Sequence, residues 1–301
     1  MWVVRLFKAD ARSYYDTLPM LAHRCGDIWR GLPTLGSLGT ESCAGLVITP
    51  ACDLSWQKSD TVTYLPIVPI RAYFSLDAAL PLVLEKISAA ISLFSGDNLP
   101  KRQKYNVYMS PSHDELDALK NGVVDFLENQ PRSDKIKIAA SRVLSGIEII
   151  KKINSGNLCE IESGDISTLF GSDWQKMKDR MIRNSFSPAI HFLPSDNQEE
   201  IFSGVQSHSL VLFRYPITIP VKILNIAQEI GASDWRSQID SMGIPRILKE
   251  SLGEVPPIKV LTLKSFFLSD LLTRFSALYN RVGSPDFSDD TITAYINEVD
   301  M

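Results

Sequence analysis

Apolar positions along the chain change period twice. Between residues 26 and 70 they fall in short runs rich in β-branched and aromatic residues: Gly26-Asp27-Ile28-Trp29, Gly45-Leu-Val-Ile-Thr49 and Thr61-Val-Thr-Tyr-Leu-Pro-Ile-Val68. Runs of this kind bounded by Gly and Pro predict strands. Pro66 puts the third at a sheet edge or a bulge, because proline cannot donate to a ladder. Pro33, Gly36 and Gly39 predict a loop over 31–42, and 51–60 reads as a polar loop. Ahead of these runs, residues 2–7 (WVVRLF) are strand-like. Residues 11–22 carry Tyr14, Leu18 and Leu21 at spacings of four and three, which predicts a helix.

From residue 71 to 187 the period becomes helical. Residues 73–95 are rich in Ala, Leu and Ile, with Pro81 at the start of the helix, and 104–109 is a strand candidate. Residues 112–128 open with a capping box in which Ser112 is the N-cap and Glu115 the reciprocating carboxylate. Over 133–154, Ile136, Ala140, Val143, Leu144, Ile147 and Ile150 share one face, and a third helical stretch, 165–185, is interrupted near Gly171. The strand signal then returns at 189–193, 208–213 and 259–263, with 216–252 mixed. Residues 265–281 form a last helix with Phe267, Leu268, Leu271, Leu272, Phe275 and Leu278 in one stripe, stopped by Gly283 and Pro285.

The pattern defines an α+β chain in three parts: 1–70 with the first strands, 71–187 as a largely helical insertion, and 188–301 with the remaining strands and a C-terminal helix. Neither β part has enough strands to close alone, so the expectation is one small barrel with an insertion. Two independent domains are the alternative.

The 301 residues are 45% hydrophobic and 22% charged, with a net charge of −4. Such a balance does not recruit nucleic acid globally, so a local basic face would have to do so. The cysteines, Cys25, Cys43, Cys52 and Cys159, form no CxxC pair, so neither a metal nor a cofactor is expected. With no long apolar run and no signal-peptide pattern, the reading is a cytoplasmic chain with reduced thiols and no membrane partner. P-loop, GxGxxG, GxSxG, HExxH and EF-hand patterns are absent.

Each chemical candidate has a plainer counterpart. Cys52, just after a strand, is a nucleophile candidate that would need a His base such as His191 or His208. Otherwise it packs as a small apolar residue while Asp53 caps the turn. Asp27, Thr49, Asp53 and Lys58 could converge at one barrel end, with Lys58 facing a phosphate, or be ordinary loop residues. Lys176, Arg180 and Arg183 share a helix face near Trp174 and Phe186, which suits RNA. The same helix is also readable as a solvated amphipathic one, with Trp174, Met177 and Met181 buried.

The order Gly26-Asp27-Ile28-Trp29, Gly36 and Gly39, Leu46-Val-Ile-Thr49-Pro50 and Leu65-Pro66-Ile67-Val68 resembles toxins of the MazF/PemK superfamily. The resemblance covers residues 25–70 and implies a small SH3-like barrel. It puts Thr49 at the hydroxyl position that serves RNA cleavage. The family's Arg has no counterpart in Thr40-Glu41-Ser42-Cys43-Ala44, which leaves Arg30 as the stand-in cation. The Cys52-Asp53-Leu54 motif with the C-terminal helix resembles uncharacterised bacterial proteins of defence and mobile-element neighbourhoods. Two functions follow. One is a toxin–antitoxin-like or antiviral defence protein that binds or cleaves RNA, with Thr49, Asp53, Lys58, Arg30 and Cys52 as its catalytic set. The other is a non-catalytic subunit that docks a protein partner encoded nearby. The sequence itself declares no reaction.

Overall fold

The computed structural model describes residues 14–17, 19–39, 42–55, 58–94, 109–129, 133–196, 204–280 and 288. Eight strands, β1 (Tyr15–Asp16), β2 (Asp27–Pro33), β3 (Ser42–Val47), β4 (Thr61–Pro69), β5 (Ile190–Leu193), β6 (Ser209–Leu212), β7 (Ile217–Pro220) and β8 (Ile258–Leu263), form one antiparallel sheet. Its order is β1-β8-β2-β3-β4-β6-β5, with β7 also on β4. Strands from before and after the helical block therefore interleave in one sheet.

Among the described residues this sheet is open: β1 and β5 are its ends and do not pair with each other. The closed barrel expected from the sequence is not what forms. Helices on both faces, rather than closure, bury the apolar sides of the strands. On one face, Val68, Ile190, Phe192, Leu210 and Leu212 join the core of the helical block. That block comprises α2 (Leu80–Ile91), α3 (His113–Asn129), α4 (Asp134–Asn154), α5 (Ser163–Phe170) and α6 (Asp173–Ile182). Further along the same face, Trp29, Val47, Val62, Tyr64 and Ile219 pack against α7 (Val221–Glu229), α8 (Ala232–Ser241) and α9 (Arg246–Ser251). The opposite face, with Ile28, Leu46, Leu65, Val211 and Leu261, lies under α10 (Ser265–Tyr279).

Several helix signals in the sequence have counterparts in the structure. The Ser112–Glu115 capping box is formed in both directions: Ser112 N–H donates to Glu115 Oε2 at 2.8 Å, and Glu115 N–H to Ser112 Oγ at 3.3 Å. Ser133 caps α4, whose Ala140, Val143, Ile147 and Ile150 are buried. Pro81 lies in the first turn of α2. The break near Gly171 separates α5 from α6, with Gly171 at φ 54°, a conformation that L side chains rarely adopt. In α10 the expected stripe faces the sheet, with Leu271 fully buried.

Pro66 sits in a central strand, at an interruption of the ladder. On one side it is opposite Gly45 in β3. On the other, β4 pairs with β7 up to Tyr64 and with β6 from Ile67. The missing N–H thus falls where the ladder is broken. At the β5 edge, Asn184 adopts φ 53° and its Oδ1 accepts the Phe192 N–H at 2.6 Å.

Three local expectations are overturned in whole or in part. Within 11–22, the described residues 14–17 and 19–22 do not follow the expected helix. Tyr15–Asp16 is a strand paired with β8, Leu21 is exposed, and Pro19 denies helical continuity. The polar loop 51–60 opens instead with a short helix, α1 (Ala51–Ser55), whose Leu54 is buried in the core shared with α7–α9. The predicted loop 31–42 also starts late, since Gly31, Leu32 and Pro33 belong to β2. The strand-like residues 2–7, the candidate strand at 104–109 except for Met109, and the helix stop at 283–285 lie outside the described residues.

Candidate functional site

Of the catalytic residues proposed from the sequence, Thr49, Cys52, Asp53 and Lys58 follow the end of β3, and Arg30 lies within β2. Thr49 follows β3, and its Oγ1 accepts the Thr63 N–H at 2.7 Å, which ties the strand end to β4. Beside it, α1 exposes Cys52, whose thiol donates to Asp53 Oδ1 at 3.5 Å. The Asp53 carbonyl accepts the N–H groups of Lys58 at 2.9 Å and Ser59 at 3.3 Å and so closes the turn. Thr49, Cys52, Asp53 and Lys58 are therefore neighbours. Arg30 is not among them. It lies level with Ala44, inside the β2–β3 ladder and five residues before Thr49, which is beyond the end of β3.

No histidine joins Cys52 as a base. His23 Nε2 bonds Asn225 Oδ1 at 2.7 Å, His191 stacks on Phe213, and His208 Nδ1 accepts the Ser195 N–H at 3.0 Å. Burial pushes the thiols of Cys25 and Cys43 up, to about 11 and about 12, so neither supplies a thiolate near neutral pH.

Asp27 does not line a rim. Its carboxylate is 3.0 Å from Lys259 Nζ, and both side chains are almost fully buried. It also accepts from the Arg24 N–H and the Thr262 hydroxyl at 2.8 Å each. Lys259 Nζ donates in turn to the carbonyls of Met20, Leu21 and Ala22 and lies over the Trp29 ring. This cluster pins residues 20–27 to the sheet. Sequence reading missed it because the partners come from opposite ends of the chain.

On α6, Lys176 is exposed, Arg183 pairs with Asp179 at 2.8 Å, and the Arg180 guanidinium reaches the carbonyls of Ser185 and Phe186. Met177 and Met181 are buried beneath them, with Trp174 partly buried. Arg180 is thus used to close the helix end.

A concave feature lies at Arg30. A cleft of about 370 Å³ is lined by Arg30, Ser42, Ala44, Glu160, Gln206 and Ser209, among others. A second, of about 330 Å³, shares Arg30, Gly31 and Ser42 and continues to Glu254, Val255 and Ile258. Local sequence explains why Arg30 is presented there. Trp29 pairs with Gly45 but Leu32 with Cys43, so Arg30 and Gly31 both face Ala44 in a bulge, with Gly31 at φ 80°. A bulge of this kind re-aims the side chain it carries. Arg30 followed by Gly was the available sequence signal. The walls of the cleft come from distant segments and gave none.

Among the described residues no group of three or more His, Cys, Asp or Glu could hold a metal ion, and no helix is long and apolar enough to cross a membrane. Compared with known protein families, curated proteins and solved structures, the chain matches none of them.

Proposed function

We propose that this protein is a non-catalytic docking subunit, which binds a protein partner through the surface around Arg30. The observation that carries the proposal is the pair of adjoining clefts that share Arg30, Gly31 and Ser42, with exposed Val255 and Ile258 at one end. An arginine beside exposed apolar side chains in a concave site is the composition of a protein-binding surface. The separation of Arg30 from Thr49, and the use of the Thr49 hydroxyl to hold Thr63, weigh against a shared cleavage site. In this reading, the resemblance of residues 25–70 to MazF/PemK toxins concerns a strand scaffold without the ribonuclease chemistry. The bacterial defence or toxin–antitoxin-like setting rests on the resemblances alone.

The test is co-expression with the products of adjacent genes, followed by size-exclusion chromatography, alongside an RNA cleavage and retention assay on the purified chain. The expected result is a stoichiometric complex that Arg30→Glu disrupts, with RNA neither cut nor retained. Cleavage by the wild type that is lost in Thr49→Ala would overturn the proposal in favour of a ribonuclease.

A further inference from the structure

Three cations from three helices meet where α5 turns into α6. Lys86 of α2 donates to Asp173 Oδ2 at 3.0 Å. Lys176 of α6 and Arg142 of α4 act on the same carboxylate through space. The Lys86 hydrogen bond, then the charges of Lys86, Lys176 and Arg142, hold the Asp173 carboxyl below its ordinary value. The corner is tertiary in origin, since the three cations are distant in sequence.

Two glycines bring this corner together. A Cβ on Gly146 of α4 would lie 2.5 Å from Ile87 Cγ1, so α4 and α2 touch directly beside Lys86. A Cβ on Gly171 would lie 2.5 Å from Arg142 Nη2, so the missing side chain is what lets the guanidinium lie against the chain ahead of α6. Packing therefore sets the position of Arg142 before any ligand arrives, which reduces the ordering cost of binding.

Arg142 is half-buried, and its Nε is a buried donor with no hydrogen-bond partner. A buried donor left unmet is costly, and each one calls for an explanation, a bound ion among them. The carboxylate that Arg142 acts on is already hydrogen-bonded to Lys86. With Nε enclosed, the Nη pair is the part of the guanidinium left for a ligand.

We infer that this corner is an anion site that takes a phosphate group on the Nη fork of Arg142, with the ammonium groups of Lys86 and Lys176 as its further cations. A planar guanidinium matches two oxygens of one phosphate, while ammonium groups serve it as point charges. The Asp173 carboxylate repels an incoming anion and competes with it for Lys86, so it sets an upper limit on the affinity. Free phosphate and a phosphate ester present the same oxygens. The site lies on the helical block and is independent of the docking reading above.

The experiment is calorimetric titration of the purified full chain, in chloride buffer near neutral pH, with inorganic phosphate and separately with glycerol 3-phosphate. The wild type is expected to bind at one saturable site. Arg142→Gln should weaken that binding about tenfold, the factor for one charge-assisted hydrogen bond. Asp173→Asn should tighten it about threefold, the factor for one exposed charge. That gain is a result an unfolded variant cannot show. Tighter binding of the ester upholds the site and identifies an esterified phosphate as its ligand, and tighter binding of inorganic phosphate upholds it with the free ion. Binding that Arg142→Gln leaves unchanged places the anion elsewhere and overturns the assignment. The assignment also fails if neither probe binds at millimolar concentration, or if Asp173→Asn binds no more tightly than the wild type.

Discussion

His191 makes the fold sensitive to acid by a definite amount. It is 2% exposed in β5, stacked on Phe213 beneath α10, and its Nδ1 has no hydrogen-bond partner. Burial lowers its pKa from 6.5 to about 4, with Asp270 opposing and Arg274 reinforcing that direction. The unfolded chain therefore binds a proton between pH 6.5 and about 4 that the folded chain refuses. Stability is full above pH 6.5 and declines as pH falls through that window. Across roughly 2.5 pH units at about 1.36 kcal/mol each, the full loss is about 3.4 kcal/mol, with about 2.5 kcal/mol of it gone by pH 4.5. His191→Leu removes the titration. Urea unfolding of wild type and variant at pH 7.5 and 4.5 gives four free energies. The fall between the two pH values should be about 2.5 kcal/mol smaller in the variant, since every other titrating group is common to both proteins. Parallel pH profiles would refute the reasoning, because they would mean that the imidazole is protonated or solvated in the folded state.

Two further outcomes test the buried polar cluster and the thiols. Lys259→Met strands the buried Asp27 carboxylate and should cost about 3–5 kcal/mol in denaturant unfolding, while adding Asp27→Asn should recover much of that loss. In a timed alkylation followed by mass spectrometry, Cys52 should be labelled first and Cys43 last, since the first is exposed and the second is buried with a thiol pushed up to about 12. Early modification of Cys43 would show that the β2–β3 hairpin opens locally.

What the sequence made legible was local. The Ser112–Glu115 box and the α4 stripe are encoded within a few residues of each other, and they formed as read. The spacing of Tyr14, Leu18 and Leu21 misled because pairing with β8 outweighs it and Pro19 forbids helical continuity. The open sheet was not legible, because closure is decided by whether helices or strands cover an apolar face, and α7–α9 lay in a stretch with no clear period. At the clefts, Arg30 could be named from sequence only as a substitute for a missing cation. Its bulge needs the β3 register to be seen. Glu160, Gln206 and Glu254 come near it only through the folded topology.

Asn184 has a consequence for how this molecule behaves at high concentration. With its side chain on the Phe192 amide, and its own carbonyl accepting from Arg274 at 3.3 Å, an outward hydrogen-bond donor of β5 is already occupied. A neighbouring copy that tried to add a strand at this border would first have to break those bonds. Lateral polymerisation is thereby discouraged at that border, and Asn184 acts as a terminator of the sheet.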